Sequence, residues 1–333
     1  MTISTHPHLL RIVASLVLAT ILAGCASRTQ WPDPDTLDIT SDTDQRTVLN
    51  RVPFFAQERY QCGPASLAMM LNSQGLDTNP DVLKELVYLP ERQGSLKVEL
   101  VAAARAHGLL VYPLDGSLES LLEEVAAGHP VLVMQNLRFG WWPQWHFAVV
   151  IGYDAREKNI ILHTDTRERH EETLEVFMAT WGRADNWATV MLPPEQLPAT
   201  AQPLRYLMSA NDLETTGRTT AAMTAYQTAE QTWPDQPAAI MGQGNIAWGL
   251  GKPELATQHY LRLTGKFPGL AAGWNNLAHS LAAQGCASAS KTAASCAMAI
   301  DPERFDGAVP AGQDSNATAP AECPVLDCPT PSF

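Results

Sequence analysis

Two kinds of apolar spacing divide the chain. Between about Val48 and Pro194, stretches with helical spacing come first and β-branched runs follow. From Ala65, the positions of Leu67, Met70 and Leu71 predict one buried helical face. Pro64 suits its first turn, where a missing N–H leaves nothing unpaired. Further helices are predicted near Asp81–Tyr88, Leu96–His107 and Leu118–Ala127. "PVLVMQN" (130–136), "HFAVVIGYD" (146–154) and "NIILHTD" (159–165) then have the length and composition of strands, with "YDAREKN" as a hairpin turn. A short strand at "VPFF" (52–55), a helix near Leu174–Trp181 and a strand near Trp187–Leu192 complete the unit. Helices first and strands afterwards predict an α+β domain over 48–196, with an antiparallel sheet packed against the helix that begins at Cys62.

From about Leu204 the β-branched runs stop and alanine takes over. Gly217, Gly251 and Gly285 recur at a period of 34, as do Pro234, Pro268 and Pro302. Ala210, Gly244 and Ala278 keep the same offset as small residues, and Tyr226 matches Tyr260. This is the tetratricopeptide period, with glycine at the turn inside each repeat and proline closing the second helix. About three repeats over 204–303 predict an all-α solenoid with a concave face for a peptide or protein partner.

The N-terminus changes the picture of where the chain works. "IVASLVLATILAG" is an apolar run of signal-peptide length, and Leu22-Ala23-Gly24-Cys25 resembles a bacterial lipobox. Residues 1–24 are therefore expected to be a lipoprotein signal peptide, with Cys25 as the lipidated residue that holds the protein on a membrane. Ala26 follows, where an inner-membrane retention signal would show Asp, so the periplasmic face of the outer membrane is expected for a Gram-negative source. Residues 25–47 read as an acidic linker and 304–333 as a disordered tail. The net charge is -13 and no basic run exists, which argues against nucleic acid as a partner.

Setting Cys25 aside, five of the six cysteines remain. The late ones fall into near neighbours, so the expected disulfides are Cys286–Cys296 and Cys323–Cys328, and Cys62 stands alone. No zinc-like spacing accompanies them, and no metal or cofactor is expected. A sulfur at a helix N-terminus lies beside unpaired N–H groups and the positive end of the dipole, which favours thiolate, the nucleophilic form. A nucleophilic cysteine needs a base. Of nine histidines, His146 opens an apolar strand just after the aromatic loop "GWWPQW" (140–145), where it either faces a cleft wall or caps a sheet edge, two roles that periodicity does not separate. Trp141, Trp142 and Trp145 either grip a peptide there, pack in the core or face a membrane.

"Q-x4-C-G-P-A-S-L-A-M", then "H-F-A-V-V-I-G-Y-D" and "N-I-I-L-H-T-D", resemble the bacteriocin-processing, double-glycine-type cysteine peptidase family, a branch of the papain-like fold. The resemblance covers roughly Val52 to Leu192. It implies Cys62 as nucleophile, His146 as general base and acid, Asp165 as the group orienting the imidazole and Gln57 as oxyanion donor. The family position usually reads Asp-Pro, whereas this chain has "TDTRER", so Thr164 or a backbone carbonyl is the alternative orienting group. Gln57 lies five residues before Cys62, one fewer than the papain spacing. No G-x4-G-K-[ST] motif or transmembrane bundle accompanies the domain, unlike a leader-cleaving exporter. The expected activity is that of a membrane-anchored periplasmic cysteine peptidase whose repeats recruit a substrate or partner. Rival readings are an amidase or transpeptidase of peptidoglycan stem peptides, and a non-catalytic lipoprotein scaffold.

Overall fold

The computed structural model describes Trp31 and residues 46–57, 61–305 and 322–329. The expected signal segment, Cys25, most of the linker and residues 306–321 of the expected tail lie outside the described residues.

Helix α1 (Cys62–Ser73) is buried from Gly63 through Leu71, so it runs through the interior and not along a surface. Helices α2 (Pro80–Val87) and α3 (Lys97–Ala106) pack beside it. Strand β2 (Leu110–Pro113) and helix α4 (Leu118–Ala126) follow, then strands β3 (Val131–Asn136), β4 (Trp145–Asp154), β5 (Asn159–Thr164) and β6 (Arg167–Thr173). Helix α5 (Leu174–Gly182) and strand β7 (Ala188–Leu192) close the unit. With β1 (Arg46–Val48) these strands make one seven-stranded sheet in the order β2-β7-β3-β4-β5-β6. All pairs are antiparallel, and β1 joins β4 at Asp154 while β3 pairs with its opposite end.

Strand alternation sends side chains into two cores. Leu132, Met134, Phe147, Val149 and Ile151 join the α1 side. Val131, Val133, Ala148 and Val150 join the side covered by α4 and α5. With both faces covered, the central strands read as continuous apolar runs.

Two strand expectations need correction. Val52–Phe55 is not a strand: Pro53 has no N–H to give a ladder, and the chain turns there with Val52 N–H donating to Leu49 O. Conversely, β6 reads RERHEET and has no apolar side chain, because it is an edge strand that keeps its charges in solvent.

The second half consists of three antiparallel helix pairs: α6 (Pro203–Thr215) with α7 (Thr219–Thr232), α8 (Pro237–Gly249) with α9 (Pro253–Lys266), and α10 (Ala271–Ala283) with α11 (Ala287–Ile300). Each pair begins 34 residues after the last. Gly217, Gly251 and Gly285 occupy the turns inside the pairs at φ +77, +68 and +76, a backbone region that side chains disfavour.

The halves share a core. Tyr206, Leu207, Ala210 and Leu213 of α6 join the apolar cluster that fills the α4–α5 side of the sheet. The connecting segment is tied down by Glu124, which is fully buried. Its carboxylate accepts from Ala199 N, Thr200 N and Thr200 Oγ1 and is bonded to His129 Nδ1. Burial alone would push this carboxyl up, but those bonds outweigh it and hold Glu124 below the usual range. Tyr112 Oη donates to Thr200 O, and Arg105 pairs with Asp212 across the junction. At the Asp154 end of β4, the Trp31 ring rests against Tyr153, centroids 5.9 Å apart.

The disulfides differ from expectation. Cys286 bonds Cys323 and Cys296 bonds Cys328; the pairs Cys286–Cys296 and Cys323–Cys328 do not form. The reason is helix rise. Cys286 caps α11 and Cys296 lies ten residues along it, so their Cα atoms are ~15 Å apart, well beyond the ~7 Å limit for a bridge. Five residues of extended chain cover ~17 Å. The stretch from Cys323 to Cys328 therefore matches ten helical residues and runs alongside α11. Residues 322–329 of the expected disordered tail are thus fastened, with Leu326 packed on the last helix pair.

Candidate active site

Cys62 is the first residue of α1 and the free cysteine among the described residues. Gly63 follows because a Cβ there would stand 2.3 Å from Ser95 Oγ. The loop before α3 can therefore close against the helix start. The thiol lies against the backbone N–H of Phe147, the residue after His146. This sets the Cys62 thiol beside the residue that follows His146, at the end of β4 where the β4–β5 ladder has opened: the pairing begins only at Val149↔His163.

The electrostatics correct the simple helix-dipole expectation. Burial is the largest influence and pushes the Cys62 thiol up; the N–H groups of Phe147 and Gly63 oppose it, and the Asp165 charge adds to it. His146 is only 6 % exposed, and burial pulls its imidazole down against the pull of Asp165.

His146 Nε2 is 2.7 Å from Thr164 Oγ1 and 3.7 Å from Asp165 Oδ1. The hydroxyl makes the hydrogen bond and the carboxylate stands just outside it. Asp165 is half-exposed, occupies the β5–β6 turn at φ 49 and accepts from Arg167 Nη2 at 3.2 Å. Its backbone oxygen accepts from Gln57 N at 2.8 Å, which ties the segment before the nucleophile to this turn.

Gln57 is buried, with Nε2 at 3.4 Å from both Ser66 Oγ and Phe147 O. Its Oε1 has no protein partner. Ser66 Oγ donates to Phe147 O at 3.2 Å. Sequence reasoning missed Ser66, although it lies four residues after Cys62 on one helix face, a spacing that brings side chains together. Residues 58–60, between Gln57 and the helix, lie outside the described residues.

His163, two residues before Asp165, is a structural group: Nε2 is 3.2 Å from Val52 O and Nδ1 accepts from Arg169 N. Trp141, Trp142 and Trp145 are 80, 61 and 52 % exposed, so they are not core residues. Trp141 stacks on Phe139 at 5.7 Å, and Arg138 covers Trp142 at 5.5 Å, on the loop that leads into His146. Among the described residues, no group of three or more His, Cys, Asp or Glu could hold a metal ion. No described helix is long and apolar enough to cross a membrane.

A thiol at a helix start, an imidazole from a distant strand, and the Gln57 amide on Phe147 O are thus gathered at one end of the sheet. Residues 49–189 match the family model described as Peptidase_C39 like family. This segment, in which all the groups above lie, carries the likeness that the cysteine and histidine blocks led one to expect. Among solved structures, one described as a C39-like peptidase from Bacillus anthracis is 20 % identical and covers 45 % of this chain and 98 % of its own, with TM-score 0.38. A double glycine motif protease from an AMS/PCAT transporter, in complex with the leader peptide, is 20 % identical over 44 % of this chain and 96 % of its own, with TM-score 0.32. No curated protein matches the chain.

Proposed function

We propose that the protein is a cysteine peptidase in which Cys62 attacks a peptide carbonyl and His146 moves the proton. The supporting observation is the Cys62 thiol on the N–H next to His146, whose far nitrogen is occupied by Thr164. With the Nε2 proton donated to Thr164 Oγ1, Nδ1 keeps a lone pair and is the base. Because burial raises the thiol and lowers the imidazole, the resting pair is neutral, and proton transfer accompanies attack. Asp165, at 3.7 Å, then stabilises the imidazolium. The oxyanion is held by the Cys62 backbone N–H and by Gln57 Nε2, whose present bonds are long enough to yield. His146 returns the proton to the leaving amine, and water releases the thioester. The exposed Trp141, Trp142 and Trp145 form the lip over which a peptide enters.

In this proposal the helix pairs are tetratricopeptide repeats that recruit the substrate or a partner, a role favoured by their 34-residue spacing. Cys25 carries lipid and holds the protein at the periplasmic face of the outer membrane. Two disulfides favour an oxidising compartment of this kind.

Cys62→Ala should lower hydrolysis of an unfolded protein substrate by on the order of 10⁴-fold or more and abolish alkylation by iodoacetamide at this position. An alanine variant that still cleaves sinks the proposal. The raised thiol is the observation that favours a non-catalytic scaffold. That rival requires alkylation of Cys62 no faster than of an ordinary thiol, together with no hydrolysis by the unaltered chain.

A further inference from the structure

Phe147 turns its main chain to helix α1 and not to a strand. Its register partner on β3, Met134, donates its N–H to Trp187 O at 3.2 Å and so spends its main chain on the β7 side. In an antiparallel pair both main-chain groups of a residue point to the same side. Phe147 therefore presents its N–H and C=O away from β3, where β5 has parted below Val149. Helix α1 meets β4 there: Cys62 lies against the N–H, and Ser66, one turn further along the helix, donates to the C=O at 3.2 Å.

Ser66 is fully buried, and its hydroxyl has a single hydrogen. Because a carbonyl can only accept, that hydrogen goes to Phe147 O, and the lone pairs remain to accept from Gln57 Nε2 at 3.4 Å. Gln57 Nε2 has two hydrogens, and its other contact is Phe147 O, also at 3.4 Å. The two contacts differ in what they leave behind. When the amide moves off Phe147 O, that oxygen still has the Ser66 hydroxyl and is not left unpaired. The Gln57 backbone is held separately, its N–H donating to Asp165 O at 2.8 Å, so the amide alone has to move.

We infer that Ser66 is a positioning residue for Gln57: its hydroxyl covers Phe147 O and retains one N–H of the amide, which frees the other N–H to meet the oxyanion beside Cys62. This assignment rests on the peptidase reading above and adds to it a residue that touches neither substrate nor reacting atoms. Without the hydroxyl, moving the Gln57 amide to the oxyanion would strip Phe147 O of its remaining side-chain donor. That penalty falls on the transition state, where the oxyanion exists, and not on substrate binding.

The test is a double-mutant cycle on the full chain, with a quenched fluorescent peptide as substrate. Ser66→Ala should lower kcat about tenfold and leave KM within about twofold. Ser66→Thr, which keeps the hydroxyl, should recover most of that loss. In the Gln57→Ala background, Ser66→Ala should change kcat by less than about twofold, since no amide remains to be positioned. A packing role predicts the same loss in both backgrounds, and that result, or a loss confined to KM, overturns the inference. The cycle stands even if the added methyl of Ser66→Thr prevents folding. A second readout needs no turnover: with ¹⁵N-labelled glutamine, Ser66→Ala should shift the Gln57 side-chain amide signals, which are assigned by their absence in Gln57→Ala. If the unaltered chain hydrolyses nothing, the peptidase reading falls, while shifted signals still support the hold of Ser66 on Gln57. Signals that stay in place overturn the inference whatever the chain hydrolyses.

Discussion

The sheet end around Cys62 and the helical half treat buried polar groups in opposite ways. Among the described residues, the buried side-chain atoms without a protein partner are Gln57 Oε1, Ser95 Oγ, Arg105 Nε, Tyr153 Oη and Asn186 Oδ1, all before residue 200. In the helical half, by contrast, Thr257 donates to Ser280, Gln284 donates to Thr257, and Tyr226 donates to Glu214. Orphaned buried polar atoms cost stability, so a fold retains them where something else depends on them. Two of the five, on Gln57 and Ser95, flank the nucleophile. The comparison separates a region built for regular packing from one that leaves hydrogen-bonding capacity unspent, part of it beside Cys62.

Four measurements break or sharpen this contrast. The largest effect is expected at Gln57: replacing it by alanine should lower kcat by on the order of 10²–10³-fold with little change in KM. A loss confined to KM would show that its unspent capacity serves binding alone. Next, Glu124→Leu removes the acceptor that fastens the junction and leaves the Ala199 and Thr200 N–H groups unpaired, at a cost of about 3 kcal/mol. Because the halves share a core, calorimetry should record one transition moved down and not two resolved ones. The Glu124 carboxyl is depressed in the folded state, so its stabilisation is present above the ordinary carboxyl range and fades as pH falls through the lowered value. The leucine variant should therefore show a shallower acid-side fall in stability.

A third effect concerns pH and rate. In the proposed mechanism the working pair holds one proton between Cys62 and His146. Burial lowers the imidazole from 6.5 and raises the thiol from 9.0, so the acid limb of kcat/KM should fall below the first value and the alkaline limb above the second. A plateau narrower than that interval would contradict the neutral resting pair. The smallest effect is expected from mild reduction, which opens the disulfides on the last helix pair. Hydrolysis of a short peptide assayed with reductant present should stay within about twofold of the unreduced chain, since the bridges lie in the half away from the proposed catalytic pair.

The two halves also differ in how much of them could be read from the chain. The helix pairs were legible because their contacts are local: turn glycines at 217, 251 and 285 and prolines at 234, 268 and 302 mark the element ends. At the site, the Cys62 helix and the β4 strand were legible from apolar spacing, but their meeting was not. It depends on β4 and β5 parting below Val149, which no local pattern encodes, and only the family motif brought the two blocks together. Asp165 was expected to orient His146, with Thr164 or a backbone carbonyl as the alternative; the hydrogen bond is made with Thr164, and the left-handed turn at Asp165 holds its carboxylate farther out. Strand β6 escaped because it is polar throughout. The disulfides were mispaired because proximity along the chain ignores how far ten helical residues travel.

Trp31 on Tyr153 has a consequence for how the molecule would stand on a surface. Along β4, His146 lies ~23 Å from Tyr153, whereas the chain from Trp31 back to Cys25 can reach no more than ~21 Å. With lipid on Cys25 as proposed, the anchor would lie within ~21 Å of Trp31, which rests on the end of β4 remote from His146.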